Sequence, residues 1–232
     1  MALQQSLAAE PEGPAALALR TLIAMGHGEW AIRGMVRGFL EQRNEWRAWT
    51  AGEADALAFA AQRLHERLGI AESAEGAQDF EGPRFEDLLA EFHGLLALIG
   101  GTQWVKLDRV TAALAARGPQ RIAALTHALL KKDGDAYSFK FTKAHQKILS
   151  AAQQDRAFEL HDQVLQMHWL AREHELRSNT LNRTLAACTL GAAALQAFEA
   201  ELGRRGVLPF AELEWHACRL LARGIDQIVG EA

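Results

Sequence analysis

A long uninterrupted stretch constrains the fold of this 232-residue chain more than any other feature of its sequence. Residues 142–202 contain no proline and a single glycine, Gly191, so the sequence offers little to stop a helix there. Mostly apolar residues recur alternately four and three positions apart, which is the heptad pattern of coiled coils. We call this row the 142–203 seam. Its members best placed to contact a partner helix are Leu160, Val164, Met167, His174, Leu181, Leu185 and Leu195.

The middle of the 142–203 seam is weaker than its ends. Ala171, His174 and Ser178 occupy seam positions where a coiled coil places large apolar side chains. We therefore expect a kink or a helix break near residues 178–180, or a hollow there that a partner fills. The seam as a whole predicts either the core of a helical bundle or a surface that dimerises or binds another protein.

The composition independently indicates helices. The chain has 44 alanines and 33 leucines, whereas valine and isoleucine together number only 14. Alanine and leucine favour helices, while strands favour β-branched and aromatic residues. We predict an all-α protein, a multi-helix bundle of about eight helices with a long C-terminal coiled-coil-like segment.

An acidic stretch divides the sequence. Residues 71–83 contain four acidic residues and no basic residue, so we predict a linker or a long surface loop there. It would separate an N-terminal helical unit of residues 1–70 from a main bundle of residues 84–232, unless both belong to one continuous domain. A last helix is expected to begin at Pro209.

The sequence from Glu29 to Trp49 predicts one helix with two different faces. Charged residues at i,i+4 spacing form the solvated face. Trp30, Phe39 and Trp46 are assigned to the opposite, inward face. Gly34 and Gly38 form a notch at which another helix can approach closely.

The lysines are unevenly distributed. Five of the six fall within residues 131–147, where aromatic residues are interleaved with them. Proteins that bind single strands combine cations for the phosphates with rings that stack on the bases. The segment therefore predicts either a site for single-stranded RNA or DNA, or an interhelical loop whose phenylalanines enter the core. The candidate residues are Lys131, Lys132, Tyr137, Phe139, Lys140, Phe141, Lys143 and Lys147.

The nine histidines provide a third hypothesis. His161 and His168 lie seven residues apart, about 10.5 Å along a helix, which is too far to share one metal ion. Glu212 and His216 have the i,i+4 spacing that one ion can bridge. A helical-bundle enzyme or ligand-binding protein would use a site among these four residues and His174. We assign no catalytic residue, no metal ligand and no cofactor.

The net charge and the cysteines disfavour some classes of function and some cellular compartments. The 25 basic and 29 acidic residues give a net charge of −4, which disfavours non-specific binding to duplex DNA. Cys188 and Cys218 are isolated, as suits a reducing cytosol, and no apolar run is long enough to span a membrane. We expect a non-enzymatic cytoplasmic adaptor or complex subunit that binds a protein partner, or itself, through the 142–203 seam. Single-strand binding and a histidine-based enzyme are the alternatives.

Overall fold

The computed structural model describes residues 7–51, 53–99 and 104–207, together with Leu213, Ala217 and Leu220. These residues are largely helical, and the described part of the chain contains one isolated β-bridge, Leu130 to Ala136, but no β-strand. The predicted all-α fold is confirmed. The helix predicted from Pro209 lies outside the described residues, apart from the three separate positions.

The helices follow one another with short connections, except between α8 and α9. They are α1 (Pro14–Ala24), α2 (Glu29–Glu41), α3 (Arg43–Trp49), α4 (Ala56–Leu68), α5 (Ile70–Gln78), α6 (Pro83–Ile99), α7 (Trp104–Ala115), α8 (Gly118–Leu129), α9 (His145–Ile148) and α10 (Ala151–Arg205). A 3₁₀ turn covers Asp79–Glu81 between α5 and α6. The predicted helix over residues 29–49 is divided at Gln42 into α2 and α3.

Contacts along the chain define two compact units. Unit 1 consists of Met1–Leu64 and Leu181–Ala232, and unit 2 consists of His65–Thr180. The long helix α10 contributes its first part to unit 2 and its last part to unit 1. The separation into residues 1–70 and 84–232 stays a prediction.

The core of unit 2 forms around one face of α6. Phe85, Leu89, Phe92 and Leu96 repeat at helical spacing and are almost completely buried. They pack in one cluster with apolar side chains from α7, α8 and the first part of α10. Each fully buried leucine or phenylalanine contributes about 1.5–3 kcal/mol relative to an exposed one, so this cluster is the main stabilising element of unit 2.

The core of unit 1 is smaller and uses short side chains where helices meet. Leu22 of α1, Ile32 of α2 and Leu190 of α10 form its centre. Ala18 and Ala186 join them and allow the helix backbones to approach.

Of the alternatives expected near residues 178–180, the helix break is wrong, because α10 continues through them. The polar side chains at seam positions 174 and 178 form hydrogen bonds within unit 2. Ser73 Oγ of α5 lies 2.9 Å from His174 Nδ1, and Ser178 Oγ lies 3.4 Å from His174 Nε2. A short polar side chain from α5 therefore fills the place where a large apolar residue is missing.

The acidic stretch 71–83 is largely helical and is not an extended loop. It forms most of α5, the 3₁₀ turn and the start of α6. Phe80 is buried among the core side chains of unit 2, and its carbonyl oxygen accepts a hydrogen bond of 3.0 Å from Arg121 Nη1. The acidic composition of the segment gave no sign of this buried residue. Burial of one phenylalanine stabilises the packed segment, while its carboxylates can remain in solvent at little cost.

Candidate functional site

The seam residues predicted as partner contacts mostly belong to the two cores. Leu160 and Val164 are completely buried in unit 2, and Leu181 and Leu195 are buried in unit 1. These four side chains present almost no surface to a partner. The half-buried members of the set, for which partner contact stays a prediction, are Met167, His174 and Leu185.

The segment between α8 and α9 separates its aromatic residues from its lysines. Phe139 is 7% exposed and belongs to the core of unit 2, and Phe141 is half-buried against it. Tyr137 is 37% exposed, so it is the accessible ring of the three. All five lysines of the segment are exposed, namely Lys131, Lys132, Lys140, Lys143 and Lys147.

An aromatic cluster holds this segment on unit 2. The Phe139 ring stacks on His161 with 5.0 Å between the ring centroids and an interplanar angle of 10°. Phe92 of α6 lies 5.7 Å from the Phe139 ring on the same measure. The Phe141 ring meets Phe158 of α10 edge-on at 5.0 Å. The predicted interleaving of rings and lysines therefore reflects residues that alternate between the core and solvent.

The two histidines at i,i+7 spacing are buried in α10 and have separate partners. His161 Nδ1 lies 3.1 Å from Asp162 Oδ1, and His168 Nε2 lies 3.2 Å from Thr126 Oγ1. The other ring nitrogen of each is buried and has no hydrogen-bond partner within the described residues. Burial lowers the pKa of His161, and burial with the nearby Arg172 charge lowers the pKa of His168 to about 4. Burial therefore favours the neutral form of both rings.

The described residues do not bring the predicted histidine site together. Within the part of the chain that the structure describes, no three His, Cys, Asp or Glu side chains converge as metal ligands would. His174 pairs with Ser73, away from the partners of His161 and His168. Glu212 and His216 lie outside the described residues, as does Cys218. Cys188 is a half-buried free thiol whose pKa is raised by burial.

Sequence reasoning missed an apolar groove on unit 1, which we call the α1–α2 groove. It has a volume of about 660 Å³. Its floor is formed by buried Ile32 and Leu190, while Ile23 at its edge is 57% exposed. Ile32, Val36 and Leu40 follow one stripe of α2 and cover about 12 Å at 1.5 Å per residue. The apolar lining is completed by Leu7 and Leu19.

Charged residues of α2 and α3 form the rim of the α1–α2 groove. Arg33 pairs with Glu29 at 2.6 Å, and Arg43 donates to the Leu40 carbonyl oxygen at 2.9 Å. Arg37 and Glu41 complete the rim, and neither has an ion-pair partner among the described residues. The rim therefore has three arginines against two glutamates, a net excess of one positive charge.

Trp30 follows Glu29 in the sequence and precedes Arg33 by about one turn, and both of those residues line the groove. Its side chain is 89% exposed, so its predicted inward position is wrong. Positions seven apart share a stripe on a helix, which places Trp30 on the same side of α2 as Arg37 and away from Phe39. Spacing in the sequence could have shown this, because Trp30 falls on the charged stripe. Tryptophan and arginine are the residue types most enriched among side chains that dominate binding energy at interfaces.

No protein-family model, curated protein or solved structure matches this chain. None of the helices within the described residues combines the length and the apolar character needed to cross a bilayer.

Proposed function

We propose that this protein is a non-enzymatic cytoplasmic helical adaptor or complex subunit, and that it binds an amphipathic helix of its partner in the α1–α2 groove. The observation that carries the proposal is the groove itself, an open, mostly apolar groove of about 660 Å³ lined in part by α2, the helix that also carries the exposed Trp30. Contiguous exposed apolar surface on a folded domain is typical of interaction sites. The proposal assigns binding to the groove rather than to the buried residues of the 142–203 seam.

The dimensions of the groove favour a helix as its occupant. A helix bound in a groove inserts apolar anchors at positions i, i+3 or i+4, and i+7, which extend over about 10.5 Å. The apolar stripe from Ile32 to Leu40 has a comparable length of about 12 Å. Trp30 lies where it would cover an edge of such a helix and exclude water from the contact.

The charge at the rim favours an acidic residue on the partner helix. Glu29 already neutralises Arg33, while Arg37 is left without an ion pair within the described residues. A glutamate on the partner that faces Arg37 would restore the local balance. Such rim charges affect specificity and association rate more than total affinity, so the apolar contacts remain the main source of binding energy.

A charge-swap experiment tests this proposal with the full chain. The probes are two fluorescein-labelled amphipathic helical peptides, each about 18 residues long, which differ only in carrying glutamates or lysines beside the leucine stripe. We expect saturable binding of the glutamate peptide by fluorescence anisotropy. Trp30→Ala should weaken this binding at least about fivefold, because a buried tryptophan anchor contributes more than about 1 kcal/mol. Arg37→Glu should weaken binding of the glutamate peptide and strengthen binding of the lysine peptide.

The matched control is Arg84→Glu, which makes the same charge change at an exposed residue of unit 2. It should leave both affinities unchanged. Absence of saturable binding by either peptide, or binding that neither groove variant alters, would overturn the proposal. Light scattering after gel filtration identifies a different occupant: a dimer that Trp30→Ala dissociates would assign the groove to a second copy of this chain.

A further inference from the structure

The segment between α8 and α9 has a defined backbone rather than a free loop. Its first turn is closed by hydrogen bonds from the Lys131 N–H to the Asp135 carbonyl oxygen at 2.8 Å and from the Tyr137 N–H to the Leu129 carbonyl oxygen at 2.7 Å. Gly134 takes φ +92° at the tip, a left-handed conformation that glycine adopts without strain. Lys131 and Lys132 are thereby held at a tight turn.

The rest of the segment packs on the core of unit 2 through buried and half-buried side chains. Phe139 and Phe141 insert into the aromatic cluster with His161 and Phe158. The His145 ring is buried, and its Nδ1 accepts a hydrogen bond of 3.3 Å from the Thr142 N–H. Lys140 lies between these two anchored rings in the sequence, and its own side chain is exposed.

The exposed side of the segment is strongly cationic. Residues 131–147 contain five lysines and two aspartates, a local excess of three positive charges in a chain of net charge −4. The five lysines are exposed, and none forms an ion pair within the described residues. Asp133 accepts the Asp135 N–H at 3.1 Å, so one of the two carboxylates helps to shape the turn.

A sixth lysine joins the segment from α7. Lys106 Nζ lies 5.4 Å from the centre of the Tyr137 ring and 5.6 Å from that of Phe139. The ammonium group is half-buried, and its burial lowers the pKa of Lys106. Every lysine of the chain therefore lies in this segment or, like Lys106, against it.

We propose that the α8–α9 segment binds the phosphate backbone of single-stranded nucleic acid through its lysines, with one base stacked on Tyr137. Lysines that are held apart by a fixed backbone and lack internal partners can each exchange solvent counterions for a phosphate. A single accessible ring beside them supplies stacking without sequence preference. The acidic remainder of the chain disfavours wrapping a stiff duplex, whereas a flexible single strand can follow a short cationic surface. This proposal is independent of the α1–α2 groove.

The salt dependence of binding provides the first test. The probe is a fluorescein-labelled oligothymidylate of about 15 nucleotides, titrated with the full chain at several salt concentrations. Five phosphate contacts predict a slope of about −3.5 for log affinity against log salt concentration. The double variant Lys140→Glu, Lys143→Glu should weaken binding and reduce the slope by about 1.4, because two contacts are removed.

The role of Tyr137 separates nucleic-acid binding from simple attraction to a polyanion. Tyr137→Ala should weaken oligothymidylate binding at least about fivefold without changing the salt slope. It should leave the affinity for inorganic polyphosphate unchanged, since polyphosphate has no bases. If Tyr137→Ala affects neither ligand while the lysine variant affects both, the site is a general polyanion site and the proposal is wrong.

A matched control guards against a trivial effect of net charge. The double variant Arg67→Glu, Arg84→Glu makes the same charge change at two exposed arginines of unit 2 that have no ion pair among the described residues. It should bind oligothymidylate as the unaltered chain does. Equal loss of affinity in both double variants, or no salt-dependent binding by the unaltered chain, would overturn the proposal. Helical circular dichroism of each variant confirms that it is folded.

Discussion

At the scale of single residues, the strongest constraints come from polar groups that are buried in unit 2. Arg121 is completely buried and donates to the carbonyl oxygens of Phe80, Ala113 and Ala116 at 3.0–3.2 Å. It lies within 4 Å of the carboxylates of Glu81 and Glu86. A buried arginine is tolerated only when its donors are satisfied in this way. Its role is to join the 3₁₀ turn to the end of α7.

The buried histidine His168 makes the stability of the protein depend on pH. The pKa of His168 is lowered to about 4 in the folded chain, whereas an unfolded histidine titrates near its ordinary value of 6.5. The unfolded state therefore binds the proton more readily. The free energy of unfolding is therefore unaffected by His168 above about pH 6.5. It falls as the pH is lowered from 6.5 toward 4, by about 3 kcal/mol in total.

We predict that His168→Met flattens this part of the pH profile. The measurement is urea unfolding of both chains at a series of pH values from about 4 to 7.5. The free energy of unfolding of the unaltered chain should fall more steeply below pH 6.5 than that of the variant. The exposed His65 supplies a control, His65→Met, which should retain the full slope. Parallel profiles for all three chains would contradict the prediction.

At the scale of elements, close packing of α10 in unit 1 depends on one glycine. A β-carbon added at Gly191 would lie 2.4–2.8 Å from atoms of the Phe39 ring of α2. The notch predicted at Gly34 and Gly38 is not the site of close approach, because a β-carbon there would meet no atom within 4 Å. The small residue needed at this contact is therefore on the long helix, and α2 contributes the large one.

Alanine substitutions at two helical glycines should have opposite effects. In an open helical position, replacement of glycine by alanine stabilises a helix by about 1 kcal/mol, as we expect for Gly34→Ala. Gly191→Ala gains the same helix propensity but forces the Phe39 ring to move, and it should be destabilising by about 1–3 kcal/mol overall. Thermal unfolding followed by circular dichroism measures both. A rise in Tm for both variants would show that the Phe39 contact is easily relaxed.

At the scale of the whole molecule, the chain forms two compact units although α10 is continuous. Each unit has its own apolar cluster, one around Phe85, Leu89 and Phe92 and the other around Leu22 and Leu190. Regions with separate cores can open with separate free energies, and native-state hydrogen exchange reports those energies region by region.

We predict that loss of Arg121 weakens unit 2 selectively. Arg121→Met leaves three carbonyl oxygens without their buried donor and should cost about 3 kcal/mol. Amide exchange should accelerate in residues 65–180, with a smaller change in α1 and α2. Arg117→Met removes an exposed ion pair to Glu86 and exposed hydrogen bonds to the Leu114 and Ala116 carbonyl oxygens, and it should change exchange little. A uniform acceleration through both units in Arg121→Met would indicate that they unfold together.

The candidate sites differ in how far the sequence could predict them. The cluster of lysines and aromatic residues over 131–147 can be recognised from composition alone, and its function as a site stays a prediction. The sequence left open whether the phenylalanines face a ligand or the core, and the structure places Phe139 and Phe141 against His161 and Phe158, as the loop alternative predicted. The α1–α2 groove could not be predicted at all, since it is the space left where α1, α2 and α10 meet.

The sequence by itself determined the helical class and most helix ends. These features depend on local energies, such as the helix preference of alanine and leucine and the left-handed conformation of Gly26, Gly69 and Gly206 at turns. Only the tertiary structure decided that Arg121 is buried, that Trp30 is exposed and that the 142–203 seam lies largely in the cores. The physical reason is that burial is a property of surfaces that meet, and residues distant in sequence decide which surfaces do.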